Sequence, residues 1–188
     1  EAKIALQDLK SVYIDLNDIN AYASYVNSIG GNIRLEVGEQ DSLTYIAAEK
    51  LFMRGDNDGA RRSLVNYLQT FPEGAFSSNA NFYLGSIAFA KKEFDEAVQR
   101  FKSVIASGDT KFLEESVART AEIEYLGNDY PAALESFKRL QIVAENPENK
   151  QAARLGIMRC ALQTGQQKDA LLAADELLKE PKLSPELE

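Results

Sequence analysis

Apolar positions fall at helical spacing along nearly the whole chain, in blocks of two to four turns broken by Gly, Pro, Asn and Asp. Near the start, Ile4, Ala5, Leu9, Val12, Tyr13 and Leu16 recur every three or four residues, which predicts one face of an amphipathic helix. Asp18 stands where a cap opens a second helix, whose Ala21, Tyr22, Tyr25, Val26 and Ile29 keep the same period. Gly30-Gly31 stops it. The stretch from Asn32 to Gln40, with Ile33, Leu35 and Val37 alternating, reads as a long, partly extended connection.

From residue 42 the pattern becomes periodic at a longer scale. Ala60, Ala97, Ala133 and Ala170 are separated by 37, 36 and 37 residues. Leu64, Phe101, Phe137 and Ala174 keep those intervals, as do Tyr67, Val104, Leu140 and Leu177, and upstream Ala48, Gly85, Ala121 and Met158. Each unit holds two helical periods around a short polar turn: Arg54-Gly55-Asp56-Asn57, Lys91-Lys92-Glu93, Gly127-Asn128-Asp129 and Thr164-Gly165-Gln166. Between units come Phe71-Pro72-Glu73-Gly74, Ser107-Gly108-Asp109-Thr110, Asn146-Pro147-Glu148-Asn149 and Glu180-Pro181, where Pro removes a helical donor and Gly permits positive φ. A lone helix pair of this length leaves one apolar face open, so it stacks on its neighbour, and the small residues mark where helix axes approach closely.

This small–Ala–aromatic–Pro pattern resembles the tetratricopeptide repeat (TPR). Leu84-Gly85, Ala88, Phe94, Ala97, Phe101 and Val104 match its signature positions in order, and Ala48, Leu51, Ala60, Leu64 and Pro72 do so one unit earlier. The resemblance implies an all-α, right-handed α-α superhelix of about five helix pairs. Residues 1–41 form an N-terminal pair and connection. Four repeats follow over 42–181, at about 42–74, 75–110, 111–147 and 148–181. Leu183-Ser184-Pro185-Glu186 has the residues of a helix start, so 182–188 reads as the opening of a further repeat and the chain as a piece of a longer array. The loop Phe71 to Phe76 running into Asn79-Ala80-Asn81 resembles that of bacterial cell-envelope TPR proteins of the YbgF/CpoB and BamD type, which implies a periplasmic or cell-envelope location. Two repeats depart from the pattern: Glu124 replaces an apolar residue, and Met158 and Ala174 occupy the small and aromatic positions.

Composition narrows the chemistry. The chain of 188 residues has 45% apolar residues, 21 Lys and Arg against 29 Asp and Glu, no His, no Trp and one Cys. Without His there is no Ser-His-Asp or Cys-His catalysis and no imidazole metal ligand; one Cys allows no internal disulfide and no CxxC pair. A net charge of −8 argues against a nucleic-acid surface, which needs a basic stripe. No apolar run is long enough to insert in a bilayer.

The remaining chemical motifs read better as structure. Arg54-Gly55-Asp56 is an RGD tripeptide placed where the repeat requires a turn. Asp56-Asn57-Asp58-Gly59 fails the calcium-loop ladder at both ends, Arg54 and Val65. Glu114-Glu115 suit a helix start, and Glu122 and Glu124 face different ways. Gly156 and Gly165 lack the Lys-Ser/Thr of a phosphate loop, and Cys160 reads as a buried thiol. The expected protein is therefore non-catalytic, without metal or cofactor.

What the resemblance implies instead is binding of a protein or peptide on the concave face, along the first helix of each repeat. Carried over position by position, that face presents Tyr45, Glu49 and Phe52, then Asn79, Phe82, Ser86 and Phe89. After these come Ala118, Glu122 and Tyr125, then Leu155, Arg159 and Leu162. Tyr45 and Phe82 begin one row of anchors, and Phe52, Phe89 and Tyr125 a second; either row can instead be packing between repeats. Tyr45, Phe82, Ala118 and Leu155 replace the Lys and Asn with which chaperone-binding members of the family hold a terminal carboxylate. Two other readings stay open: an architectural spacer without a groove ligand, and a module like the SusD-type glycan-binding proteins. If the chain is cut from a longer array, it should self-associate through Ile4, Leu9 and Val12 or through Ala170, Leu171 and Leu177.

Overall fold

The computed structural model describes residues 2–29, 34–108 and 110–179 as ten α-helices, with no strand among them. They divide into two compact units, Glu1–Lys91 and Lys92–Glu188. The expected stop at Gly30-Gly31, the Asn32-Ile33 part of the connection, Asp109, Glu180-Pro181 and the expected helix start in 182–188 lie outside the described residues.

The first unit holds α1 (Ala2–Leu16), α2 (Ile19–Ile29), α3 (Val37–Met53), α4 (Asn57–Thr70) and α5 (Ser77–Ala90). Its beginning corrects three expectations. In α1 the residues facing the core are Leu6, Tyr13 and Ile14, spaced one face apart, while Ile4, Val12 and Leu16 are exposed. The apolar residues of α1 occupy more than one face, and periodicity alone does not choose between them. In α2, Ile19, Tyr22 and Val26 are buried but Tyr25 and Ile29 are exposed. Helix α3 begins at Val37, so the extended connection ends at Glu36; Leu35 packs against the Ile19–Tyr22–Val26 cluster.

The second unit holds α6 (Phe94–Ser107), α7 (Leu113–Leu126), α8 (Tyr130–Val143), α9 (Pro147–Gln163) and α10 (Gln167–Leu178). Its core runs from Val117 and Ala121 through Phe137 and Leu140 to Ala153, Cys160 and Ala173. The Cys160 thiol is fully buried, and burial pushes its pKa up, so the thiolate is suppressed. Leu171, Leu172 and Leu178 are the exposed large apolar residues of α10, whereas Ala170 and Leu177 are buried. Of the three residues expected to drive self-association at this end, only Leu171 therefore offers a surface.

The repeat register is visible in backbone geometry. Gly55, Lys92, Asn128 and Gly165 all have positive φ, at +82°, +60°, +61° and +74°, and they are spaced 37, 36 and 37 apart. Asn17 does the same between α1 and α2. After four of these turns the next residue donates its N–H five residues back: Asp18 to Tyr13, Asp56 to Leu51, Asp129 to Glu124, Gln166 to Ala161. That is the Schellman closure, which satisfies a carbonyl the ending helix leaves open. Asp18, Asp56 and Asp129 then cap the next helix, accepting from Ala21, Gly59 and Ala132. Ala60, Ala97 and Ala133 are fully buried, and Ala170 nearly so. Met158 and Ala174, the two irregular members of their columns, are only half-buried.

Candidate functional site

The first-helix surfaces of the two units differ in chemistry. In unit 1, α3 and α5 bring the expected partner-binding residues into one neighbourhood, but mostly as packing. Tyr45 is 2% exposed. Its ring stacks on Phe76 with centroids 4.4 Å apart, and its hydroxyl donates to Glu49 Oε1 at 2.6 Å while accepting from Asn79 at 3.1 Å. Tyr45 is thus core, a correction of its expected place as a groove anchor. The reason is the neighbouring loop: Phe76 stacks flat on the Tyr45 ring and covers one of its faces. Burial, then the hydrogen bond to Glu49, raises the Tyr45 pKa well above that of free tyrosine.

Tyr83, which sequence reasoning passed over, supplies the second donor to Glu49 Oε1, at 3.0 Å. Phe52 and Phe82 flank its ring, at 4.6 and 5.7 Å between centroids. Phe82, Ser86 and Phe89 are half-buried on α5, and the Ser86 hydroxyl is turned back onto the Phe82 carbonyl.

Behind this surface Asp41 is buried and fully engaged. It accepts from the Tyr67 hydroxyl at 2.6 Å and from the Ala75 N–H at 2.9 Å, while Tyr67 Oη accepts from Phe76 N–H. The loop that delivers Phe76 to Tyr45 is therefore held by a carboxylate and a phenol. Gly74 is needed here, since a Cβ on it would stand 2.4 Å from Tyr67 Oη. In unit 2, Glu114 does the same for the corresponding loop, accepting from the N–H groups of Glu145 and Asn146 and from the Asn149 amide. Burial raises its pKa, but the three donors outweigh that and hold it below the ordinary glutamate value. Asp41 and Glu114 are 73 residues apart, two repeat steps, and that interval was the signal available in the sequence.

Unit 2 carries an open cleft. It has a volume of about 310 Å³ and lies between α7 and α9 over a floor from α8. Glu122, Tyr125 and Arg159, all expected site residues, line it, together with Ala118 and Leu155 from the row that Tyr45 begins. Phe137 and Leu140 form the floor. Gly156 makes that floor possible: a Cβ there would stand 2.4 Å from Phe137 Cγ, so the bare backbone lets the ring slide under α9. Tyr125 meets Phe137 edge-on at 6.4 Å. On the rim, Arg119 holds Glu115 at 2.8 Å and Glu122 at 3.0 Å. Burial lowers the Arg119 pKa and the two carboxylates more than restore it. Arg159 is exposed at the mouth and makes no hydrogen bond or ion pair with a described residue. On the opposite side of α7, Glu124 is buried and paired with Lys102 at 2.8 Å and with the Ser136 hydroxyl at 2.6 Å, which accounts for an acid at an apolar position.

Among the described residues no group of Cys, Asp and Glu is arranged to hold a metal ion, and no helix is long and apolar enough to cross a membrane. Residues 47–110 match the tetratricopeptide repeat family model. The span covers α4, α5 and α6 whole, together with the end of α3. No curated protein matches the chain. Among solved structures, MamA of AMB-1 aligns with a TM-score of 0.62 at 15% identity, over 99% of this chain and 96% of that one. A point mutant of MamA gives 0.59 at 16% identity, over 98% and 95%. The nearly identical TPR-like repeats of a Podospora anserina putative kinesin light chain give 0.53 at 14% identity, over 92% and 91%. At these identities the likeness is one of fold: all-α, of the TPR-type α-α superhelix class.

Proposed function

We propose that this chain is a non-catalytic protein-interaction scaffold, and that it seats a segment of a protein partner in the α7–α9 cleft of unit 2. The observation that carries the reading is an open cleft whose half-buried apolar walls, Ala118, Tyr125 and Leu155, stand over a floor of buried Phe137 and Leu140, with Arg159 uncommitted at its mouth. An apolar anchor side chain would gain burial on that floor, and a carboxylate beside it would gain a charged partner. The two rim carboxylates already belong to Arg119, so the charge left for a partner is positive. TPR-type proteins typically bind proteins or peptides, which supports the same reading. Placement in a bacterial cell envelope, and kinship to the YbgF/CpoB and BamD type in particular, belongs to the proposal and rests on the loop around Phe71 to Phe76.

The burial of Tyr45 removes that residue as an apolar anchor, so the apolar anchor of this reading lies in unit 2. A photo-crosslinker placed at Ala152, beside the cleft, tests this. A discrete partner should be captured from the source cells, and the capture should be lost when Leu155→Arg fills the cleft with the melting curve unchanged. Capture that survives Leu155→Arg, or that is equal from a crosslinker at Gln99 on α6, would return the chain to the spacer reading.

A further inference from the structure

Among the described residues the buried and half-buried acids are accounted for, with one exception. Asp41 spends both oxygens on Tyr67 and Ala75, Glu114 spends both on three N–H donors, and Glu124 spends one on Lys102 and one on Ser136. Glu49 differs. Its Oε1 takes the hydroxyls of Tyr45 and Tyr83, its Oε2 has no partner, and no cation lies within ion-pair distance among the described residues. Ser116 Oγ is the buried side-chain polar atom without a partner among those residues, so the equally unpartnered Oε2 is reached by solvent. A carboxylate that is half withdrawn from water, fixed by two phenols and left without a counter-charge suits an incoming cation.

The surroundings select the cation. One oxygen is taken, so a guanidinium cannot form its two parallel bonds, whereas an ammonium needs a single charged acceptor. The half-buried rings of Phe52 and Phe82 beside Tyr83 suit a long methylene stem, and their π-faces favour positive charge nearby. We propose that unit 1 binds a lysine side chain of a partner peptide, its ammonium on Glu49 Oε2 and its stem along Phe52 and Phe82. This rests on the partner-binding reading above but uses other residues.

The test is a titration of the isotopically labelled full chain, by amide NMR, with the peptide acetyl-Ala-Leu-Lys-Leu-Ala-amide. Versions carrying norleucine or arginine in place of lysine run beside it. The lysine peptide should shift the Glu49, Phe52 and Phe82 amides saturably, and the norleucine and arginine peptides should bind roughly tenfold more weakly. Glu49→Gln keeps an acceptor for both phenols, so it should melt as the parent does and lose the lysine preference. Leu155→Arg should leave this titration untouched, which separates failure here from failure of the unit 2 cleft. Equal binding of the lysine and norleucine peptides, an unchanged preference in Glu49→Gln, or no saturable shift at millimolar peptide would each overturn the proposal. The peptide comparison needs no variant, so misfolding of Glu49→Gln would not shelter it.

Discussion

The Tyr67 hydroxyl donates to Asp41 Oδ1 across 2.6 Å in a site closed to solvent, and the two groups together hold the Phe71–Phe76 loop, Asp41 through Ala75 N–H and Tyr67 through Phe76 N–H. The same hydroxyl accepts from Phe76 N–H, and Phe76 in turn covers Tyr45. The covering of Tyr45, first of its row, thus depends on a phenol on the second helix of the repeat.

Tyr67→Phe should therefore cost about 1–3 kcal/mol, because it leaves a buried carboxylate oxygen without its donor. Tyr130→Phe, which removes an exposed bond to Asn128, should stay within about 0.5 kcal/mol. Denaturant midpoints of the two variants check the contrast. The effect has a pH signature as well. Tyr45, Tyr67 and Tyr83 all have pKa values raised above 10.0, first by burial and then by their carboxylate partners. The folded state then holds the proton more tightly than the unfolded chain. Their contribution is complete below about pH 10 and is lost as pH rises from there through the folded values. Stability should fall steeply in alkali, and Tyr67→Phe should make that fall shallower.

Lys92 holds φ at +60° in a position where two of the other repeats use Gly and one uses Asn. A side chain there costs on the order of 1 kcal/mol in steric strain, part of which returns as chain entropy when Gly replaces it. Lys92→Gly should raise the melting temperature, by about 0.5–1 kcal/mol in free energy, and Gly165→Ala should lower it by a similar amount. Thermal melts of the pair decide it. A loss on Lys92→Gly would mean that the lysine side chain contributes more than its backbone strain costs.

Gly156→Ala sets two effects against each other. Helix propensity favours Ala by about 1 kcal/mol, whereas a Cβ 2.4 Å from Phe137 Cγ forces the ring or α9 to move, at about 1–3 kcal/mol. The clash should win, giving a net loss and a displaced cleft floor. Adding Phe137→Leu should recover part of it, and a double-mutant cycle on the two positions should show coupling above about 0.5 kcal/mol.

Helix content and repeat register belonged to the sequence because each rests on local chemistry. Small residues at Ala60, Ala97 and Ala133, positive-φ residues in the turns and caps at Asp18, Asp56 and Asp129 act within a few residues of where they are written. The interval from Tyr45 to Phe82, Ala118 and Leu155 was legible too, and so was the membership of Glu122, Tyr125 and Arg159 in one surface. What each row does was not. Tyr45 is covered because a loop some 30 residues later folds back on it, and that loop is held by Asp41, whose role depends on Tyr67 from another helix. The α7–α9 cleft opens because Ala118 and Leu155 stand where Tyr45 and Phe82 stand in unit 1, and because Gly156 lets Phe137 slip beneath them. Which face of α1 turns inward, and which oxygen of Glu49 stays open, follow likewise from what happens to pack opposite. A linear pattern records a residue's period along its own helix; contacts between helices and with returning loops determine whether that residue is wall, floor or opening.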